Sequence, residues 1–194
     1  MSDEPPPSRC FWQGDKIRLR AFSVGDVEVL WVEERDSEAI RLSEGTIGPL
    51  ESPETLKDRI EREAKQPPDQ VLRLVVETLD GTMVGDANLR DWKNRSGTFT
   101  FGIRIFRAYR RRGFATEAAQ LLLRYGFYEL RCQKANSIIL CCNEQSVRLH
   151  QIFGFRDEGR IRRAIYTDGR YFDKLLFGLT SEEFDEFERS RSTP

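Results

Sequence analysis

Arg110-Arg111-Arg112-Gly113-Phe114-Ala115-Thr116-Glu117 is the stretch whose reading decides the fold. An apolar run from Phe99 to Phe106 precedes it. After it, Ala115, Ala118, Ala119, Leu122 and Gly126 fall three and four apart, the spacing of one helix face, and predict a helix over Thr116–Leu130. The order is strand, basic glycine turn, helix. The first amides of a helix lack intrahelical acceptors, and the summed peptide dipoles make that end partly positive. Gly113 lets backbone come close to a ligand, and Ala115 adds only a methyl. A phosphate or diphosphate there is held by main-chain N–H groups and steadied by arginines. The other reading is an ordinary strand–helix connection with a solvated basic turn. No Gly-Lys-Ser/Thr follows, which excludes a Walker phosphate loop.

Outward from this turn, the chain alternates strand and helix signals. Residues 1–10, with Pro5-Pro6-Pro7, read as a disordered tail, and 11–194 as one domain, with Phe11 and Trp12 tacking the tail down. Ile17-Arg18-Leu19-Arg20 alternates apolar and basic, as a strand with one buried face does. Ser23 and Asp26 stand at capping-box spacing before Val27, Leu30 and Trp31, predicting a helix to about Glu34. Asp36 to Pro53 has no clear pattern. Ser52-Pro53-Glu54 opens another helix, with Leu56, Ile60 and Ala64 as its stripe and Pro67-Pro68 as its stop. Val71–Leu79 and Thr82–Arg90 read as strands joined at Asp80-Gly81, and Thr98–Phe106 follows. Ala135–Cys142 is apolar on both faces, which suits a central strand. A short helix from Asn143, strands over Phe155–Ile165 and Tyr171–Leu179, and a helix capped by Ser181-Glu182-Glu183 complete the chain.

With 31 basic and 32 acidic residues the net charge is −1, which argues against a dedicated nucleic-acid binder. No apolar run reaches membrane-spanning length and no signal peptide opens the chain, so a cytoplasmic, membrane-free protein is expected. Cys10, Cys132, Cys141 and Cys142 lack zinc spacing and read as buried reduced thiols. His150 is the sole histidine, so no His-rich metal site is expected.

A second motif gives these elements a likeness. Arg110-x-x-Gly113-x-Ala115 together with Asn143-x-x-Ser146-x-x-Leu149-His150-x-x-x-Gly154-Phe155 resembles the paired signature of the GNAT superfamily of N-acetyltransferases. Glu158-Gly159, Tyr166-x-Asp168-Gly169-x-Tyr171-x-Asp173 and Glu182-Glu183-Phe184 are similar to its ribosomal N-terminal and polyamine-acetylating subgroup. The resemblance covers residues 13–187. It implies an α+β (α/β/α) fold with a mixed, mostly antiparallel sheet of about seven strands, splayed at its centre and flanked by helices.

It also implies a chemistry, acetyl transfer from acetyl-coenzyme A to a primary amine by direct attack, with no metal. Main chain at Ile103, Arg104 and Ile105 would pair with the pantetheine. Amides of Arg110, Arg111, Arg112, Gly113, Phe114 and Ala115 would hold the diphosphate. Asn143 would bond the pantetheine or the nearby chain. On a helix Asn143, Ser146 and His150 share a face, set toward the thioester. The family's general-acid tyrosine is replaced by His150, which becomes the expected acid, with Ser146 assisting; the alternative is a packing residue. A glutamate that many relatives use as base is replaced by Thr100, leaving Asp86 and Asp91 as remote candidates or as plain exposed acids. Glu117 is expected to serve the helix dipole.

Glu28, Glu33, Glu34, Asp36 and Glu38 cluster where relatives line the acceptor groove, and would suit a cationic small molecule or a protein N-terminus; they could equally be a solvated face. A homodimer is a family-based expectation without a marked interface. Two other functions compete: a non-catalytic acyl-coenzyme A-binding module, and an RNA or ribosome-associated protein using Arg104, Arg107 and Arg110–Arg112, against which the near-neutral charge counts.

Overall fold

A computed structural model describes residues 10–65 and 71–192. The Met1–Arg9 tail and the Pro67-Pro68 stop lie outside the described residues. Seven strands make one sheet: β1 (Ile17–Ala21), β2 (Val71–Thr78), β3 (Met83–Arg90), β4 (Thr98–Ile105), β5 (Lys134–Leu140), β6 (Arg156–Thr167) and β7 (Arg170–Thr180). Their order is β1-β2-β3-β4-β5-β7-β6, antiparallel throughout except for the parallel β4–β5 pair. Among the described residues six α-helices accompany the strands: α1 (Val27–Glu33), α2 (Ser37–Glu44), α3 (Pro53–Lys65), α4 (Phe114–Arg124), α5 (Glu144–Ile152) and α6 (Ser181–Ser192).

Alternation along the strands builds two cores. On one face Leu89, Phe99, Ala135, Phe177 and Leu179 pack under Ala118, Leu121 and Leu122 of α4 and Phe184 of α6. On the other, Val75, Met83 and Phe106 meet Val27 and Leu30 of α1 and Leu56 and Ile60 of α3. Burial of a side chain such as Phe99 or Leu122, both at 0 % exposure, contributes about 1.5–3 kcal/mol. Trp12 packs on Tyr125 with ring centroids 4.6 Å apart, fixing the chain's entry as its aromatic character suggests.

Several local expectations are refined. The helix after the glycine turn starts at Phe114 and passes at Tyr125 into a π-helical segment over Tyr125–Glu129. The Ser23–Asp26 box forms, with Asp26 Oδ2 accepting from the Ser23 amide at 2.7 Å, but its first turn is a 3-10 turn before α1. At the last helix the reciprocal pair is Thr180 and Glu183, not Ser181: Glu183 Oε2 accepts from the Thr180 amide at 2.9 Å. Within Asp36–Pro53, read as unpatterned, a full helix stands. Asp36 caps α2 by accepting from the Ala39 amide at 3.1 Å, and Gly45 ends it at φ 84°. The strand expected through Cys142 stops at Leu140, so Cys141 lies half-buried and Cys142 exposed in the following turn; Cys10 is exposed too, and only Cys132 is a buried thiol.

Candidate active site

The parallel ladder between β4 and β5 is short. Thr98, Phe99 and Thr100 pair with Lys134, Ala135 and Asn136, and there it ends. Both strands continue: β4 keeps its outer partner to Ile105 opposite Gly85, and β5 keeps its own to Leu140 opposite Lys174. The parting is therefore a divergence of two well-paired halves, not fraying of a strand end. Five residues of β4, Phe101–Ile105, present an inner edge without a strand neighbour among the described residues, about 16 Å at ~3.3 Å per residue. Ile103, Arg104 and Ile105 all lie on it.

The chain leaves this edge through a 3-10 turn, Arg107–Tyr109, and reaches the glycine turn. Gly113 sits at φ 86° and Arg111 at φ 64°, two left-handed residues that swing the chain into α4. Only glycine adopts that conformation without strain. Among the described residues no side chain caps α4, so its opening amides keep their hydrogens for an acceptor from elsewhere. The arginines do not all face this turn. Arg110 folds back to donate to the Ile105 carbonyl at 3.1 Å, and Arg112 lies over the Tyr109 ring at 5.5 Å while donating to the Ala108 carbonyl at 3.4 Å. Lys16 joins the turn unannounced by any sequence signal: its Nζ donates to the Arg112 carbonyl at 3.3 Å. Glu117 accepts from the Lys16 amide at 2.9 Å and so ties α4 to the start of β1, a structural bond beyond the dipole role read from its position.

Across the parting, α5 brings Asn143, Ser146 and His150 to one face. Asn143 caps the helix, its Oδ1 accepting from the Ser146 amide at 3.0 Å, while its Nδ2 donates to the Leu42 carbonyl at 3.0 Å. Both ends of its amide thus bind the chain. His150 is 4 % exposed. Its ring stacks on Phe101, the first residue of β4 beyond the ladder, with centroids 5.4 Å apart, and meets Phe155 edge-on at 4.7 Å. Nδ1 lies 2.7 Å from the Ser146 carbonyl, which can only accept, so Nδ1 carries the proton. Nε2 is buried and has no partner among the described residues. Burial pushes the imidazole below its ordinary range, opposed in part by the Ser146 bond. The resting side chain is a neutral acceptor rather than a charged donor, because three phenylalanines replace the water a cation needs.

The opposite face of β3 and β4 is polar. Asp86 is not the exposed acid that its position suggests: it stands across from Arg104, whose Nε donates to Oδ2 at 2.7 Å. Burial raises the Asp86 carboxyl, with Arg104 opposing. Asp91 stays exposed, with Thr100 Oγ1 donating to it at 3.4 Å. The acidic cluster is largely spent in pairs. Arg107 takes Asp36 in a two-point bond at 2.8 and 2.9 Å and reaches Glu38 at 2.7 Å, while Arg59 takes Glu34 at 2.9 Å. The Arg107 guanidinium holds the Asp36 carboxyl down to about 2. Glu33 differs: burial pushes it up, and the nearby Arg104 only partly offsets this. Among the described residues no group of three His, Cys, Asp or Glu could hold a metal, and no helix is long and apolar enough to cross a membrane.

A sheet parted beside an uncapped glycine-led helix defines an acyltransferase architecture, and the relatives agree. Residues 16–156 match the acetyltransferase (GNAT) domain family. The SPbeta prophage-derived uncharacterized N-acetyltransferase YokL of Bacillus subtilis is 33% identical over 175 residues, covering 90% of this chain and 96% of that protein. Spermidine N(1)-acetyltransferase of Escherichia coli is 28% identical over 116 residues, 60% of this chain and 62% of that enzyme. Among solved folds, spermidine N-acetyltransferase from Vibrio cholerae, in complex with coenzyme A and spermine, aligns with a TM-score of 0.77 at 22% identity, over 87% of this chain and 97% of that one. The chain belongs to the GNAT acetyltransferase family. It is an N-acetyltransferase whose co-substrate is acetyl-coenzyme A.

Proposed function

We propose that this chain acetylates a cationic primary amine, with the thioester lying in the β4–β5 parting and the amine entering over the polar face of β3 and β4. The observation that carries the reading is the ladder that stops at Thr100–Asn136 while both strands keep their outer partners. The inner edge at Ile103, Arg104 and Ile105 would bond the pantetheine amides as an added strand does. The amides of Arg110 to Ala115 would bind the diphosphate at the start of α4, with Arg111 and Lys16 near enough to add charge. Asn143 acts by holding α5 and α2 together beside the thioester. The attacking nitrogen would add to the carbonyl carbon, and a main-chain N–H of the β4 edge would stabilise the oxyanion before the thiolate leaves. Ser146 sets His150 through its carbonyl, and His150 hands a proton to sulfur.

Glu33 and the Arg104-paired Asp86 place two carboxyl groups beside the polar face, both raised by burial, and a polyamine such as the one named for the E. coli relative would favour their charged forms where a neutral amine would not. Thiol release from acetyl-coenzyme A over a panel of amines tests this. Turnover highest with polyamines or basic peptide N-termini supports the reading. Cofactor binding without thiol release from any amine would instead make the chain a non-catalytic acyl-coenzyme A binder.

A further inference from the structure

In the folded chain the His150 proton sits on Nδ1, held by the Ser146 carbonyl, and the buried Nε2 offers a lone pair that no described residue takes up. A side chain in that state cannot protonate a departing thiolate until it has itself been protonated. The position where a carboxylate base would be expected is Thr100, which is no base. We propose that His150 is both base and acid in turn: Nε2 takes the proton of the attacking amine and then returns it to the coenzyme A sulfur. This rests on the acyl-transfer reading above.

The attacking nitrogen enters as the neutral amine, its ammonium proton already released to solvent, and from there the step balances without an outside proton. As the nitrogen–carbon bond forms, the nitrogen proton passes to Nε2, giving an imidazolium that keeps its Nδ1–H bond to Ser146. As the carbon–sulfur bond breaks, its electron pair leaves on sulfur, and Nε2–H protonates it. An amide and a free thiol result, with His150 back in its first tautomer. The surroundings suit a transient cation rather than a standing one. Phe101 from β4, Phe177 from β7 and Phe155 at the entry to β6 face the ring, and none titrates. On its own helix the nearest charges, Glu144 and Arg148, pair with each other at the surface at 3.2 Å.

Because His150 is the sole histidine, its two ring nitrogens are directly assignable in a 15N-labelled protein. The expected spectrum at neutral pH shows a protonated Nδ1 and a bare Nε2, with the Nε2 signal moving when coenzyme A is added. The pH profile of kcat at saturating amine should have no falling limb between about pH 6 and 8.5, since no resting cation has to be kept charged. His150→Gln should lower kcat at least ~100-fold with coenzyme A affinity unchanged. A charged imidazole at neutral pH, a rate that falls as pH rises through about 6.5, or a His150→Gln enzyme within about threefold of the parent would overturn the relay. These outcomes leave wild-type thiol release intact; loss of that release in the wild type would sink the acyl-transfer reading itself. The spectrum and the wild-type profile decide the matter even if the variant does not fold.

Discussion

Replacing Gly113 by alanine separates the turn's conformational role from its ligand role. Gly113 stands at φ 86°, and a Cβ there would meet only the flexible Lys16 Nζ, at 3.2 Å. In the free protein the cost is therefore backbone strain, about 1–2 kcal/mol for a left-handed non-glycine residue. That corresponds to a melting point lower by roughly 2–4 °C per kcal/mol. If the diphosphate binds as proposed, a second loss is added in the complex, because the methyl would stand where a diphosphate oxygen approaches the amides of the turn. Losing one charge-assisted hydrogen bond costs about 1.5–3 kcal/mol. Affinity for coenzyme A should thus weaken roughly 10- to 100-fold. The control is Gly81→Ala in the β2–β3 hairpin, at φ 93° with open space around the added Cβ. It carries the same strain and should melt lower by a similar amount, yet bind coenzyme A normally. Calorimetric titration and thermal melts of both variants read the two effects separately. Equal affinity in Gly113→Ala and the parent would refute a diphosphate held at this turn.

Other consequences follow from the packing and the charges. His150 makes the fold acid-sensitive: its folded pKa lies below the unfolded value of 6.5, so its contribution is complete above pH 6.5 and is lost as pH falls toward the lower folded value. Urea midpoints measured from pH 7.5 down to pH 5 should decline in the parent more steeply than in His150→Phe. Asp36→Ala removes the α2 cap, costing about 1 kcal/mol, and an exposed two-point pair with Arg107 worth at most about 1 more; chemical denaturation should show a loss of that size. Gly126→Ala would set a methyl 2.4 Å from Cζ of the fully buried Phe99, and overpacking should lower stability by about 1–3 kcal/mol in the same assay.

What the sequence disclosed depended on how local the cause was. Alternation in Ile17–Arg20, the Asp80-Gly81 turn and the apolar run of β5 are carried by neighbours in the chain, and each marks a strand that the structure contains. The same holds for the glycine turn, whose strand, turn and helix order the structure contains. Helix α2 was missed although both its signals were present, Asp36 at the cap and Gly45 at the stop, because its apolar stripe is thin. Part of what anchors it comes from afar: Arg107 on Asp36, and Asn143 on the Leu42 carbonyl. The burial of His150 could not be read from α5 either, since Phe101, Phe155 and Phe177 arrive from three other segments. Asp86 passed for a surface acid for a similar reason: only the β3–β4 register sets it opposite Arg104. Where the β4–β5 ladder ends is likewise a property of two strands together, and neither one's pattern marks Thr100 as the last paired residue.

In the proposed complex a coenzyme A thioester lies between β4 and β5 with its diphosphate on the opening amides of α4. A crystal structure of the protein with coenzyme A tests it most directly. The expected result is diphosphate oxygens at about 3 Å from main-chain nitrogens within residues 110–115, pantetheine amides bonded along Ile103–Ile105, and sulfur beside His150 Nε2. A cofactor bound on another face, or strands β4 and β5 paired past Thr100 and Asn136, would contradict it.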